Sequence, residues 1–376
     1  MINRIIKEQI EKKLDDHKAI ILFGPRQVGK TTLVENLLDG RDDVLRLNGD
    51  EADARELLSA PNVTLLRTLL GDKKILFIDE AQRIKDIGLV IKMVVDHIKG
   101  AKVIATGSSS FDLSNQVNEP ITGRKWEYLM TPLSYEELVI HHGALEEKRL
   151  LTHRMLYGYY PEVVSNPGNE REILFELANS YLYRDILTWE RIQKPDRMER
   201  LVMALAFQIG SPVSYNELGQ ICGLDNETVE HYIDLLEKAF IIFRLYPFSR
   251  NLRNELKKSR KIYFYDNGIR NAVIKQFQPI DMRNDVGALW ENFLVSERMK
   301  LLKNHRMFAN SYFWRNHARQ EVDYVEESDG VISAYEFKWS ARKSSARIPT
   351  AFQEQYNPEI MKVIHQKNFF PFLTNH

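Results

Sequence analysis

The stretch Ala19 to Thr32, AIILFGPRQVGKTT, restricts the fold of this 376-residue chain more than any other. Five apolar residues, Ala19 to Phe23, run into a loop bounded by Gly24 and Gly29, and a helix-compatible run follows. A segment apolar at every position fits a strand buried on both faces, as in a parallel sheet. Gly24, Gly29, Lys30 and Thr31 match G-x-x-x-x-G-K-[ST] without departure. Glycines let such a loop curl until its backbone N–H groups point at phosphate oxygens. A helix beginning there adds its positive end. Gly24, Pro25, Arg26, Gln27, Val28, Gly29, Lys30, Thr31 and Thr32 are therefore the expected nucleotide-binding residues. Lys30 is expected on the β/γ-phosphates of ATP, and Thr31 is expected to offer its hydroxyl to Mg²⁺.

The next segments repeat the pattern. Val44 to Asn48 reads as a short strand, Glu51 to Leu70 as helices, and Lys74 to Glu80, KILFIDE, as a second wholly apolar strand ending in two carboxylates. A helix marked by Val90, Val94, Val95 and Ile98 leads to Lys102 to Ser110, KVIATGSSS, a third strand ending in hydroxyls; Trp126 to Leu129 suits a fourth. Strands alternating with helices predict an α/β domain: a parallel sheet with helices on both faces. Functional residues then gather at the carboxyl ends of the strands. Asp79 is expected to hold Mg²⁺, and Glu80 to activate the attacking water. Thr106, Ser108 and Ser109 suit sensing of the γ-phosphate, and Arg124, in ITGRKWEYL, is a candidate arginine finger supplied by a neighbouring copy. Ile2, Ile5, Ile6, Ile10 and Leu14 fall at helical spacing and predict an opening helix beside the nucleotide site.

Beyond residue 142 the chain reads as helical to about residue 195, with breaks at Tyr160–Pro161 and Asn166–Pro167–Gly168; Arg184, in YLYRDIL, is placed for a second sensing arginine or a salt bridge. Ser214 and Glu217 form a capping box, Gly223 makes a turn, and Asp225 caps a helix whose buried face is Val229, Tyr232, Ile233 and Leu236. With a strand over Ala239 to Tyr246, this is a winged-helix pattern. Its second helix exposes Glu227, Glu230, Asp234 and Glu237, which would repel a phosphate groove. The whole chain balances 52 basic against 52 acidic residues, so any nucleic-acid surface must be local. The densest basic stretch is Arg244, Arg250, Arg253, Lys257, Lys258, Arg260 and Lys261, the candidate contact with DNA. One cysteine, Cys222, excludes an internal disulfide and a cysteine metal cluster. No apolar run reaches membrane-spanning length and the N-terminus is charged and amphipathic, so a cytoplasmic protein is expected.

In the last region Lys261 to Asp266 reads as a strand, Gly287 to Leu301 as a helix, and Glu321 to Glu326 and Val331 to Trp339 as a hairpin turning at Ser328-Asp-Gly330. Residues two apart on a strand share a face, so Glu336 and Lys338 point together, with Asp323 able to meet them from the partner strand and Glu291 from the helix. A helix acid, a strand Asp and an E-x-K on the next strand form the constellation of PD-(D/E)xK nucleases. Asp323 and Glu336 are the expected metal ligands, and Lys338 would stabilise the developing charge.

Taken together, MINRIIK, GPRQVGKTT, ILFIDEAQRI, ATGSSS, TGRKWEYLMTPLSYEEL, YLYRDIL, KIYFYDNGIR, GALWENFLVSE, EVDYV and YEFKWS resemble a bacterial and archaeal family of AAA-type P-loop ATPases, nearly end to end. Their C-terminal region is a domain of unknown function combining a winged helix with a restriction-endonuclease-like module. The resemblance implies ATP binding and slow hydrolysis. The expected division is 1–142 (ATPase), 143–195 (helical lid), 196–260 (winged helix) and 261–376 (nuclease-like). The expected function is an Mg²⁺-ATPase, able to self-associate, whose nucleotide state controls the nuclease-like module. The alternative is a nucleotide-switched interaction protein with an inert last domain.

Overall fold

The computed structural model describes residues 2–108, 121–179, 194–249, 260–341 and 347–375. Ser109, Arg184, Arg250, Arg253, Lys257 and Lys258 lie outside the described residues. The chain divides into two compact units, Met1–Pro132 with Lys238–Phe240, and Leu133–Glu237 with Ile241–His376.

The first unit is built on five strands: β1 (Ala19–Phe23), β2 (Val44–Asn48), β3 (Ile75–Asp79), β4 (Lys102–Gly107) and β5 (Lys125–Leu129). Their spatial order is β2-β3-β4-β1-β5, and every pairing is parallel. β1 and β4 are buried along their whole length, which explains their unbroken apolar character. Helices Lys30–Leu37, Val63–Leu70 and Ile87–His97 flank the sheet. Parallel pairing sends the ends of β1, β3 and β4 to one edge. The loop carrying Lys30, the carboxylates Asp79 and Glu80, and Thr106 with Ser108 therefore meet there.

The second unit holds β6 (Pro212–Val213), β7 (Ile242–Pro247), β8 (Arg260–Phe264), β9 (Asn310–Arg315), β10 (Glu321–Ser328), β11 (Val331–Phe337) and β12 (Ile360–Ile364). They form one sheet in the order β12-β11-β10-β9-β7-β8-β6. The sheet runs across the boundary expected at residue 260, because β7 pairs with β8 on one side and with β9 on the other. Three helices, Pro195–Phe207, Tyr215–Cys222 and Asn226–Lys238, come before β7, and the capping expected from Ser214 and Asp225 is present in their hydrogen bonds to the N–H groups of Glu217 and Thr228. The expected hairpin is β10 and β11, with Tyr324 opposite Tyr335. A bulge in β10 between Val322 and Val325 turns both valines into the cluster of Phe248, Trp314, Ile332, Ala334 and Phe352.

Candidate functional sites

The phosphate loop has a shape only its glycines permit. Gly24 sits at φ +153°, and a Cβ there would stand 1.9 Å from the Met130 carbonyl oxygen; Gly29 sits at φ +91° at the start of the helix. Lys30 folds back over the loop, donating to the Gly24 and Pro25 carbonyls at 2.9 and 2.7 Å, and is 5% exposed. Burial lowers its pKa to about 8, against the opposing pull of Glu80 and Asp79. Arg4 clamps the loop from the N-terminal segment, donating to the Val28 carbonyl at 2.9 Å and the Thr131 carbonyl at 2.6 Å.

Asp79 is the centre of the polar edge. Thr31 donates to one carboxylate oxygen at 2.9 Å and Thr106 donates to the other. Glu80 follows in a left-handed conformation, φ +46°. Its Oε2 accepts from the Gln82 amide at 2.5 Å and the Ser108 hydroxyl at 3.2 Å, and Gln82 also donates to Ser108 at 2.9 Å. The expected sensor Ser108 is thus linked directly to the expected base. Gln82 and Arg4 contact the candidate site and were not part of the motif reading. Gln82 lies two positions after the carboxylate pair, and a side chain that near a strand end was the available signal.

Arg124 lies away from the phosphate loop of its own chain. Its backbone carbonyl accepts from the N–H of Ala19, the first residue of β1, so it lies at the amino edge of the sheet, opposite the phosphate loop. Five strand residues separate the two edges, about 17 Å. Its guanidinium is bound to Asp96 at 2.6 Å. Reaching a phosphate from there would take a second copy of the chain.

In the second unit the expected cluster assembles in part. The β10–β11 register, with Tyr324 opposite Tyr335, continues to Asp323 facing Glu336, and Asp323 accepts from the Phe337 N–H at 2.7 Å. Burial raises the carboxyl pKa of both, and the charge of Asp323 pushes Glu336 further up. Lys338 donates to Glu336 at 2.6 Å, leaving the other Glu336 oxygen buried without a partner. Glu291, on the helix Val286–Asn304, is bound by Lys261 at 2.8 Å and by the Tyr263 hydroxyl at 2.7 Å. Burial lifts the Glu291 carboxyl to about 7, Lys261 pulls it back, and Asp323 adds to the rise. Among the described residues no group of three or more His, Cys, Asp or Glu is arranged to hold a metal ion. The carboxylates expected to hold Mg²⁺, Asp323 and Glu336, are instead engaged by the Phe337 N–H and by Lys338.

Three of the seven cations of the basic stretch lie among the described residues. Lys261 is fully buried, and Arg244 is bound by Asp234 and Glu237. Arg260 pairs with Glu230 at 3.4 Å and lies over the Tyr215 ring. These three cations serve the interior and the acidic helix, so among the described residues they offer no run of charge to DNA. The same pairs occupy three of the four acids expected to repel phosphate.

Comparison with known proteins agrees with the first unit. Residues 16–139 match the AAA domain family. This segment is similar to the AAA domain family and has a P-loop ATPase fold. Residues 148–279 and 286–370 match two families described as domains of unknown function, DUF8612 and DUF4143. An uncharacterized protein of Mycobacterium tuberculosis is 26% identical over 344 residues, 90% of this chain and 74% of that protein. One from Methanocaldococcus jannaschii is 23% identical over 346 residues, 86% of this chain and 75% of that protein. Among solved structures, a Walker-type ATPase of Pyrococcus abyssi shares the fold at 15% identity and TM-score 0.50, covering 73% of this chain and 96% of its own. No helix among the described residues is long and apolar enough to cross a membrane.

The AAA domain's lysine sets a pH dependence. Lys30 attracts phosphate only while protonated, and its pKa in the nucleotide-free protein is about 8. Nucleotide affinity should be level below about pH 7 and fall above about pH 8, by up to about tenfold per pH unit. Stability moves the other way. The lowered pKa means the unfolded chain binds more protons between about 8 and 10.5, so the free protein gains stability from this group as pH rises through that window. Titration with a fluorescent ATP analogue across this range checks the first claim; a flat affinity profile would remove Lys30 from the phosphate contacts.

Proposed function

We propose that this chain is an Mg²⁺-dependent ATPase whose nucleotide state controls its C-terminal module. The observation that carries the proposal is the polar edge of the AAA domain: Thr31 and Thr106 converge on Asp79, while Gln82 and Ser108 bracket Glu80. Thr31 and Asp79 fit Mg²⁺ as hard oxygen donors side by side, suited to an ion that keeps several waters. When bound, the ion would offset charge on the β- and γ-phosphate oxygens. Lys30 would leave the Gly24 and Pro25 carbonyls for those oxygens, and the loop N–H groups would surround them. Glu80 would orient the attacking water and take its proton as the new P–O bond forms and the bridging bond breaks. Ser108, hydrogen-bonded to Glu80, would report whether a γ-phosphate is present.

The finer form of the proposal gives the C-terminal module nuclease-like action on DNA through Glu291, Asp323, Glu336 and Lys338. The succession of three helices and the β7–β8 pair, as a winged helix requires, supports placing it near nucleic acid. One observation favours the second reading, an inert, nucleotide-switched interaction module: Lys261 already neutralises Glu291.

Plasmid and labelled duplex DNA should be incubated with the full chain and Mg²⁺, with and without ATP, beside Asp323→Ala. Hydrogen exchange over residues 261–375 should be followed in the same samples. Cleavage that needs both ATP and Asp323 supports the nuclease form. Altered exchange without cleavage supports the interaction form. Identical exchange with and without ATP, and no cleavage, rejects nucleotide control.

A further inference from the structure

The carboxylates around β8 already have a cation. Lys261 enters from the second position of that strand and is 0% exposed. Its ammonium lies 2.8 Å from Glu291 Oε1 and 2.5 Å from Glu321 Oε1. Glu321 opens β10 and also meets Arg315 at 3.6 Å. Asp323, two residues further along β10, adds its field: burial opposes the charge on Lys261, but Glu291, Asp323 and Glu321 outweigh it and hold the lysine protonated well above its ordinary range. Lys338 takes Glu336 on the neighbouring strand. Each acid of the expected metal set therefore has a protein cation or a backbone donor on it.

We propose that Lys261 is the resident cation of this cluster and keeps divalent ions out of it. Three physical points support the assignment. The ammonium is fully buried between two carboxylates, so moving it aside would break its ion pairs with both Glu291 and Glu321. A divalent ion at the same carboxylates would be repelled by a fixed positive charge at close range and low dielectric. The oxygens these bonds do not engage, Glu291 Oε2, Asp323 Oδ1 and Glu336 Oε2, belong to carboxylates whose charge Lys261 and Lys338 already offset, so an ion there would have to compete with both lysines. The lysine thus gives the module a metal-independent fold. This rests on the reading of Glu291, Asp323 and Glu336 as one nuclease-like set, and it specifies how that set is regulated: by an internal competitor for its metal position.

The test uses Mn²⁺ as the probe, with nucleotide-free full-length protein followed by calorimetric melting and by Mn²⁺ electron paramagnetic resonance. Wild type and Asp323→Asn should bind the same amount of Mn²⁺, with no Tm gain in the C-terminal transition. Lys261→Met leaves buried acids uncompensated and should lower that transition by roughly 5–10 °C. Mn²⁺ should restore part of the loss, and the restoration should vanish in Lys261→Met/Asp323→Asn. If Lys261→Met does not fold, Lys261→Met/Glu291→Gln, which removes the uncompensated acid, takes its place. Mn²⁺ binding by wild type that Asp323→Asn abolishes would overturn the proposal, as would a Lys261→Met protein whose melting Mn²⁺ does not move. Neither readout depends on ATP, so nucleotide control of the module can fail while this inference stands, and the reverse.

Discussion

Lys30→Ala should abolish measurable ATP binding while leaving the fold intact. Among the described residues the ammonium of Lys30 makes two hydrogen bonds, both to its own loop. It is held there as a poorly solvated charge, so its removal costs the free protein little. Bound phosphate loses more. A hydrogen bond to a charged group is worth about 1.5–3 kcal/mol, and an ammonium can donate up to three. Two such bonds correspond to an affinity loss of roughly 10²-fold or more. Isothermal titration with ATP and Mg²⁺ measures it, and circular dichroism checks the fold. Wild-type affinity in this variant would show that the loop does not hold the phosphates.

Glu80→Gln should separate binding from turnover. The amide keeps the size of the side chain and can still bond with Ser108 and Gln82, but it cannot take a proton. ATP affinity should stay within a few-fold of wild type while kcat falls by roughly 10²–10⁴-fold, the usual contribution of a positioned general base. Single-turnover hydrolysis with radiolabelled ATP gives the chemical step directly. A kcat within a factor of about three of wild type would move the role of base away from Glu80. Gln82 gives the effect a structural reading: its short bond to Glu80 is one an amide at position 80 can keep only by turning.

The AAA domain was legible because its chemistry is local. Gly24, Lys30 and Thr31 act within one loop, and Asp79 and Glu80 announce themselves at the end of an apolar strand. Parallel pairing then brings these segments together without further instruction. The position of Arg124 was not legible because a motif does not state the direction of its strand; the bond from the Ala19 N–H puts it at the far edge. In the second unit the decisive partners are distant in sequence. Lys261 meets Glu291 across 30 residues and Glu321 across 60, so adjacency to other lysines and arginines suggested a surface where the strand turns this one inward. Arg244 was hidden in the same way by Asp234 and Glu237 of the preceding helix. The bulge at Val322 to Val325 shows in the sequence only as one break in alternation, Tyr324 beside Val325, although it decides which side chains of β10 reach the core.

β7 lies between β8 and β9, hydrogen-bonded to both. The two regions of unknown function, 148–279 and 286–370, therefore share a single ladder of backbone bonds. A gene cut at residue 260 would leave β7 with two open edges in one product, and β8 and β9 without their common neighbour in the other. Such edges invite pairing with foreign strands. Expression of either half alone should therefore yield aggregate rather than a domain.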